Sequence, residues 1–143
     1  MGKKRILIAD DDPDVLEVIK AILDHEGFQV RTASNGEQAY KLMRKHVFSA
    51  VILDVSMPKA SGIKVLQLMR RSSRLKDVPV MLITGNLLKA KEIQDNGAVK
   101  LANVILTKPF NTRDLIKQVK ALASSEPSES KKPPEQLPQR SRI

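Results

Sequence analysis

Three consecutive aspartates, Asp10, Asp11 and Asp12, close the apolar run Ile6 to Ala9, and a fourth, Asp54, closes a second run, "SAVILD" (49–54). Carboxylates crowded together repel and raise one another's pKa unless a cation joins them. One of them has a plain structural use: Asp12 before Pro13 makes an N-cap and N1 pair, and acidic residues suit the positive end of a helix. Asp10 and Asp11 are left over. Together with Asp54 they suit a hard divalent ion, since magnesium takes one or two carboxylates, a carbonyl and several waters and keeps room for a phosphate oxygen. Thr84 and Lys108 close two further apolar runs. A hydroxyl and an ammonium facing such an ion are placed for the other oxygens of a phosphoryl group, whose transfer depends on alignment and charge neutralisation. A carboxylate can itself be the nucleophile and form an aspartyl phosphate.

Holding these groups together requires elements that end side by side. Ile6 to Ala9 reads as a strand buried on both faces. Pro13 to Glu26 is an amphipathic helix with Val15, Ile19, Ile22 and Leu23 on one stripe and Gly27 as its C-cap. "FQVRTA" (28–33) alternates like a strand, Asn35-Gly36 opens a helix through about Lys45, and residues 49–54 form another buried strand. After the "MPKASG" loop (57–62), a helix from about Ile63 to Ser73 buries Val65, Leu66, Leu68 and Met69. "VPVMLIT" (78–84) is a fourth strand, with Pro79 at its start where a missing amide is tolerated. A helix follows from about Leu87, then "NVILTK" (103–108) as a fifth strand. The last helix starts at Asn111 or Thr112 and carries Leu115, Ile116, Val119 and Leu122. This alternation predicts an α/β fold, a doubly wound five-stranded parallel sheet with five flanking helices and right-handed crossovers. In the order 2-1-3-4-5 the ligand crevice lies at the carboxyl ends of the first and third strands. All the chemistry-bearing residues fall at that edge.

The 143 residues, 41% of them hydrophobic, are enough for one folded domain. Absence of cysteine excludes disulfides, thiolate zinc sites and cysteine nucleophiles. No apolar stretch approaches the roughly 20 residues needed to cross a bilayer, and no signal peptide is visible, so a soluble cytoplasmic protein without membrane contact is expected. The net charge of +9 and pI near 9.9 invite a nucleic-acid reading. With 3% aromatic residues there is little to stack on bases, and direct nucleic-acid binding is not expected. The basic groups Arg44-Lys45, Arg70-Arg71-Arg74-Lys76 and Lys89-Lys91 read as solvated helix faces and helix ends. His25 and His46 lack metal-ligand spacing and read as surface or capping residues. From Ser124 onward the chain holds four prolines and mixed charge, a disordered tail or linker remnant (124–143) after a domain spanning 1–123.

The acid pair after the first strand, "ILDVSMP" with its central aspartate, "LIT" followed by Gly85, and Lys108-Pro109-Phe110 together resemble the receiver domain of two-component response regulators, over about residues 3 to 123. The resemblance implies that Asp54 accepts a phosphoryl group from the phosphohistidine of a histidine kinase or phosphotransfer protein. It also implies that Asp10 and Asp11 hold Mg2+ with Asp54 and the backbone carbonyl of Ser56, that Thr84 reorients to the phosphoryl group, that Lys108 pairs with it, and that the Lys108–Pro109 peptide is cis. Such a protein is a signalling receiver rather than a turnover enzyme; it phosphorylates itself from a phosphodonor, dephosphorylates slowly, and switches a surface read by a downstream target or an output domain. Two features depart from the family. Val104, Ile105 and Leu106 are aliphatic where an aromatic switch residue is frequent, and Ala98 to Lys108 spans ten residues where about six are usual, predicting a longer or reshaped fourth helix. No output domain follows, so the chain reads either as a stand-alone receiver or as the receiver portion of a longer protein. Among rivals, an aspartate-based magnesium phosphatase would need a second acid where Ser56 stands. A scaffold bound through its basic faces would not need the acids, and a flavodoxin-type protein would need a Ser/Thr/Gly-rich phosphate loop after the first strand.

Overall fold

The computed structural model describes residues 2–85 and 100–124. The helix expected from about Leu87 falls in 86–99 and the expected tail beyond Ser124 in 125–143, both outside the described residues. The elements run β1 (Arg5–Ala9), α1 (Pro13–His25), β2 (Gln29–Ala33), α2 (Gly36–Lys45), β3 (Ala50–Asp54), α3 (Gly62–Arg71), β4 (Val80–Thr84), β5 (Val104–Thr107) and α4 (Thr112–Ala123). Five parallel strands stand in the order β2-β1-β3-β4-β5, as the alternation predicts, with four helices among the described residues.

Side chains of a strand alternate between faces, and the two faces of this sheet feed two cores. Leu7, Val51, Leu53, Val80 and Leu82 pack with Ala39 and Met43 of α2 and with Val65, Leu66 and Met69 of α3. Ile6, Ile8, Ile52, Met81 and Ile83 pack with Ile19 and Leu23 of α1 and with Leu115 and Val119 of α4. Double-sided burial explains why the central strands carry uninterrupted apolar runs. It also fixes their register: Ala9 stands opposite Ala33 and Leu53, Asp54 opposite Ile83, and Thr84 opposite Thr107. The polar residues that follow these positions therefore emerge along one edge.

Local chemistry starts each helix. Asp12, Asn35, Ser61 and Asn111 are the N-caps, accepting from the N–H groups of Asp14, Gln38, Lys64 and Arg113 respectively. Several expected boundaries shift. Helix α3 starts at Gly62, because Ser61 supplies its N-cap, and ends at Arg71 before the C-cap Ser72. Val78 and Pro79 precede β4, where the Pro79 carbonyl still accepts from Val51 N–H at 3.0 Å. Asn103 precedes β5, its side chain accepting from Val80 N–H at 2.8 Å and its own N–H donating to the Val80 carbonyl at 2.9 Å. Val15, Ile22, Leu68 and Ile116, expected in the core, are half-buried at the margins of their helical stripes.

One charge expectation is corrected. Arg70 does not lie on a solvated face: half-buried, it donates to the carbonyls of Leu101 (2.8 Å), Val78 (2.8 Å) and Lys76 (2.9 Å), and reaches Asn103 Oδ1 at 3.3 Å. Burial lowers its pKa. Arg74, though exposed, donates to the Met43 carbonyl at 2.7 Å. The physical reason is that helix ends and turns leave carbonyls without backbone donors, and a guanidinium offers five donors in a fixed fork.

Candidate functional site

Just past the end of β1, Asp10 is 2% exposed, and its backbone N–H donates to the Ala33 carbonyl at 3.1 Å. Its Oδ1 accepts from Asp12 N–H at 2.9 Å, so the turn into α1 holds the carboxylate in place. Asp11 is exposed on that turn. Asp54, the last residue of β3, is 6% exposed. Carboxylate oxygens from Asp10, Asp11 and Asp54 all lie within 4.8 Å of one another.

Lys108 enters from the fifth strand. Its backbone N–H donates to the Thr84 carbonyl at 2.8 Å, continuing the β4–β5 pairing one residue beyond β5, and the Lys108–Pro109 peptide is cis, as the resemblance implies. Its Nζ lies 3.1 Å from Asp10 Oδ2 and 3.9 Å from Asp54 Oδ2. The side chain passes beside Gly85, where an added Cβ would make ordinary contact with it at 3.7 Å. Thr84 is 2% exposed, one strand over from Asp54 and one residue beyond its register partner. Ile105 stands opposite Leu82 and is half-buried against the α2/α3 core, so by alternation the aliphatic switch position shares Thr84's face of the sheet.

The charges do not balance inside this pocket. Burial first, then the negative charges of Asp10 and, less, of Asp11, raise the Asp54 carboxyl to about 6 against the opposing pull of Lys108 and the Ser56 N–H. Two buried carboxylates thus share one ammonium, with a third carboxylate at the rim. Oxygen donors this close, with excess negative charge, fit a hard divalent cation.

The backbone after Asp54 is folded back tightly, a feature the sequence reading did not anticipate. Val55 N–H donates to the Ile83 carbonyl at 2.9 Å and Gly62 N–H to the Val55 carbonyl at 3.1 Å. Lys59 and Ala60 take positive φ values of 52° and 88°. A Cβ at Gly62 would run into the Asp54 carbonyl, and one at Gly36 into the Ala60 carbonyl. Both glycines are first residues of helices, an uncommon place for glycine and the available signal that backbone approaches closely there. Ser56 is exposed, its N–H directed to the Asp54 carboxylate. His25 and His46 lie in the last turn of α1 and at the C-cap of α2, away from the strand ends that carry the acids.

The structure therefore brings Asp10, Asp11, Asp54 and Lys108 into one pocket, with Thr84 and Ser56 on its adjoining backbone. Beside Lys108, a cavity of about 330 Å³ is lined by Asp14, Val15, Val18, Ile19, Pro109 and Phe110. The sequence reading assigned no role to Val18, which is 55% exposed.

A family model described as the response regulator receiver domain matches residues 6–120. Among curated relatives, a transcriptional regulatory protein of Haemophilus influenzae, the CpxR homolog, is 38% identical over 119 residues, covering 82% of this chain and 49% of its own. The transcriptional regulatory protein SrrA of Staphylococcus aureus is 31% identical over 117 residues, covering 82% and 46%. The chain spans about half the length of these relatives. Among solved structures, the response regulator TrrA from Thermotoga maritima, in complex with Mg2+–BeF, superposes with a TM-score of 0.74 at 34% identity, over 83% of this chain and 98% of that one. The receiver domain of a sensor histidine kinase from Pseudomonas aeruginosa, with a magnesium ion coordinated in its active site cleft, gives 0.77 at 25% identity, over 87% and 100%.

Proposed function

The chain belongs to the response regulator receiver domain family, which serves phosphorylation-dependent two-component signalling, and on that premise we propose that Asp54 is its phosphoacceptor. The observation that carries this reading is the cluster itself: three carboxylates with oxygens within 4.8 Å, and the Lys108 ammonium 3.1 Å from Asp10 and 3.9 Å from Asp54. Asp10, Asp11, Asp54 and the Ser56 backbone carbonyl would hold Mg2+. Bound there, the ion would offset the negative charge of the acids and of an incoming phosphoryl group.

The chain's own groups do the rest. With its pKa near 6, Asp54 is mostly ionised at neutral pH and presents a carboxylate oxygen as nucleophile. The new O–P bond to Asp54 forms as the N–P bond of a phosphohistidine breaks, and the departing imidazole takes up a proton. Lys108 pairs with one phosphoryl oxygen and the Thr84 hydroxyl donates to another. Transfer of Lys108 from carboxylates to phosphate and reorientation of Thr84, with Ile105 on its face of the sheet, would bias a two-state equilibrium toward a different surface.

The donor is a histidine kinase or phosphotransfer protein in the cytoplasm, and the reader is a downstream protein or an output domain. Residues 1–123 form the receiver, and 124–143 are a tail or a linker. The test is intact mass after incubation with Mg2+ and acetyl phosphate. Wild type should gain one phosphoryl group and Asp54→Ala none; an equal gain in both would overturn the assignment.

A further inference from the structure

The acids crowd the carboxyl edge of the sheet, and the amino edge carries the opposite charge. Arg5 opens β1, Val47 and Phe48 lead into β3, and Leu75 and Val78 lead toward β4. Around residue 46 four cations gather. Burial lowers the His46 pKa, and the charges of Arg31, Arg5 and Lys45 lower it further. Arg74 donates to the Met43 carbonyl at 2.7 Å and to the His46 carbonyl at 3.4 Å. Arg5 Nη1 donates to the Val47 carbonyl at 3.4 Å, while its buried Nε has no acceptor.

No carboxylate among the described residues forms an ion pair with Arg5, Arg31, Lys45 or Arg74. Asp77, the acid in the turn before β4, acts on Arg70 instead. Amid these cations Val47 is 72% exposed. Beside it a shallow cavity of about 60 Å³ is lined by Met43, His46, Phe48, Arg74 and Leu75.

We propose that this amino-edge surface docks an acidic protein segment bearing one aliphatic side chain, its carboxylates meeting Arg31, Lys45 and Arg74 and its aliphatic group covering Val47. Cations without carboxylate partners attract an oppositely charged segment and fix its register. An exposed apolar group at their centre supplies the contact that becomes dry on binding. Nucleic acid fits less well. The patch offers no exposed aromatic ring for a base, since Phe48 is 4% exposed and meets His46 edge-on. A five-residue strand separates this surface from the acid cluster by roughly 17 Å, so both edges can be engaged at once.

The test is an amide chemical-shift titration of the full chain with an acetylated oligoglutamate peptide carrying one central leucine. Shifts should centre on Arg5, Arg31, Lys45 to Phe48 and Arg74. Val47→Asp, an exposed substitution that leaves the thermal midpoint unchanged, and Lys45→Glu should each weaken binding by about tenfold. Replacing the peptide's leucine by serine should weaken it to a similar degree. Asp54→Ala, the variant expected to take up no phosphoryl group, should bind the peptide as wild type does, keeping this result separate from the phosphoacceptor assignment. Shifts centred on Asp10 to Asp12 and Lys108, equal affinity for the leucine and serine peptides, or unaltered binding by Val47→Asp would each overturn the proposal. Tighter displacement of the peptide from these residues by a single-stranded oligonucleotide would overturn it in favour of nucleic acid.

Discussion

Asp54 is charged at neutral pH at a position where its surroundings oppose the charge. Its pKa is raised from 3.8 to about 6, so the folded state holds the proton more tightly than the unfolded chain does. This contribution to stability is therefore fullest below about pH 4 and is lost as pH rises to about 6. Asp54→Asn removes the charge while leaving Lys108 its 3.1 Å contact to Asp10. Without metal, the variant should melt a few degrees above wild type at pH 7, about 1–2 kcal/mol, with the gap closing toward pH 4. Scanning calorimetry at the two pH values, in chelator, reads this directly. A variant no more stable at pH 7 would show that the pocket already compensates the carboxylate. The acids were legible from sequence because each ends an apolar run; the single lysine shared by two of them was not, since Lys108 and Asp10 are 98 positions apart.

Among the described residues, the connection between β3 and α3 holds the two non-glycine residues at positive φ, Lys59 and Ala60. Ala60 sits at φ 88°, a region that suits glycine, so Ala60→Gly should stabilise the protein by about 0.5–1 kcal/mol in urea unfolding. Gly62→Ala should act in the opposite sense, because its Cβ would press on the Asp54 carbonyl. A loss of about 2 kcal/mol or more is expected, with slower phosphoryl gain from acetyl phosphate. Arg70 governs another junction, tying the end of α3 to the turn before β4 and to Leu101 and Asn103 ahead of β5. Arg70→Met keeps the aliphatic stem but removes a donor from four carbonyls, and chemical denaturation should show a loss of about 2–4 kcal/mol. Propensity and periodicity placed these helices and strands, but basic residues at a helix end look alike in sequence. Only packing distinguishes a solvated Arg71 from an Arg70 closed over carbonyls.

For the whole molecule, a metal held by the acid cluster would link binding to folding, because the three carboxylates meet only in the folded chain. The thermal midpoint should rise with Mg2+ concentration, reaching about 1.4 kcal/mol of stabilisation when the ion is at ten times its Kd. Asp11→Asn, at an exposed position, should leave the metal-free midpoint nearly unchanged yet blunt that rise. An undiminished Mg2+ response in Asp11→Asn would exclude Asp11 as a ligand. The sequence by itself determined that five apolar runs pair as parallel strands and that acids, a threonine and a lysine stand at or just past their carboxyl ends, because double-sided burial and alternation with amphipathic helices are written in local patterns. Tertiary structure alone decided how near those groups come, which arginines close over carbonyls, and which face is left basic around Val47. Those outcomes depend on contacts between residues far apart in the chain, set when two helical layers close on the sheet and fix every strand end in register.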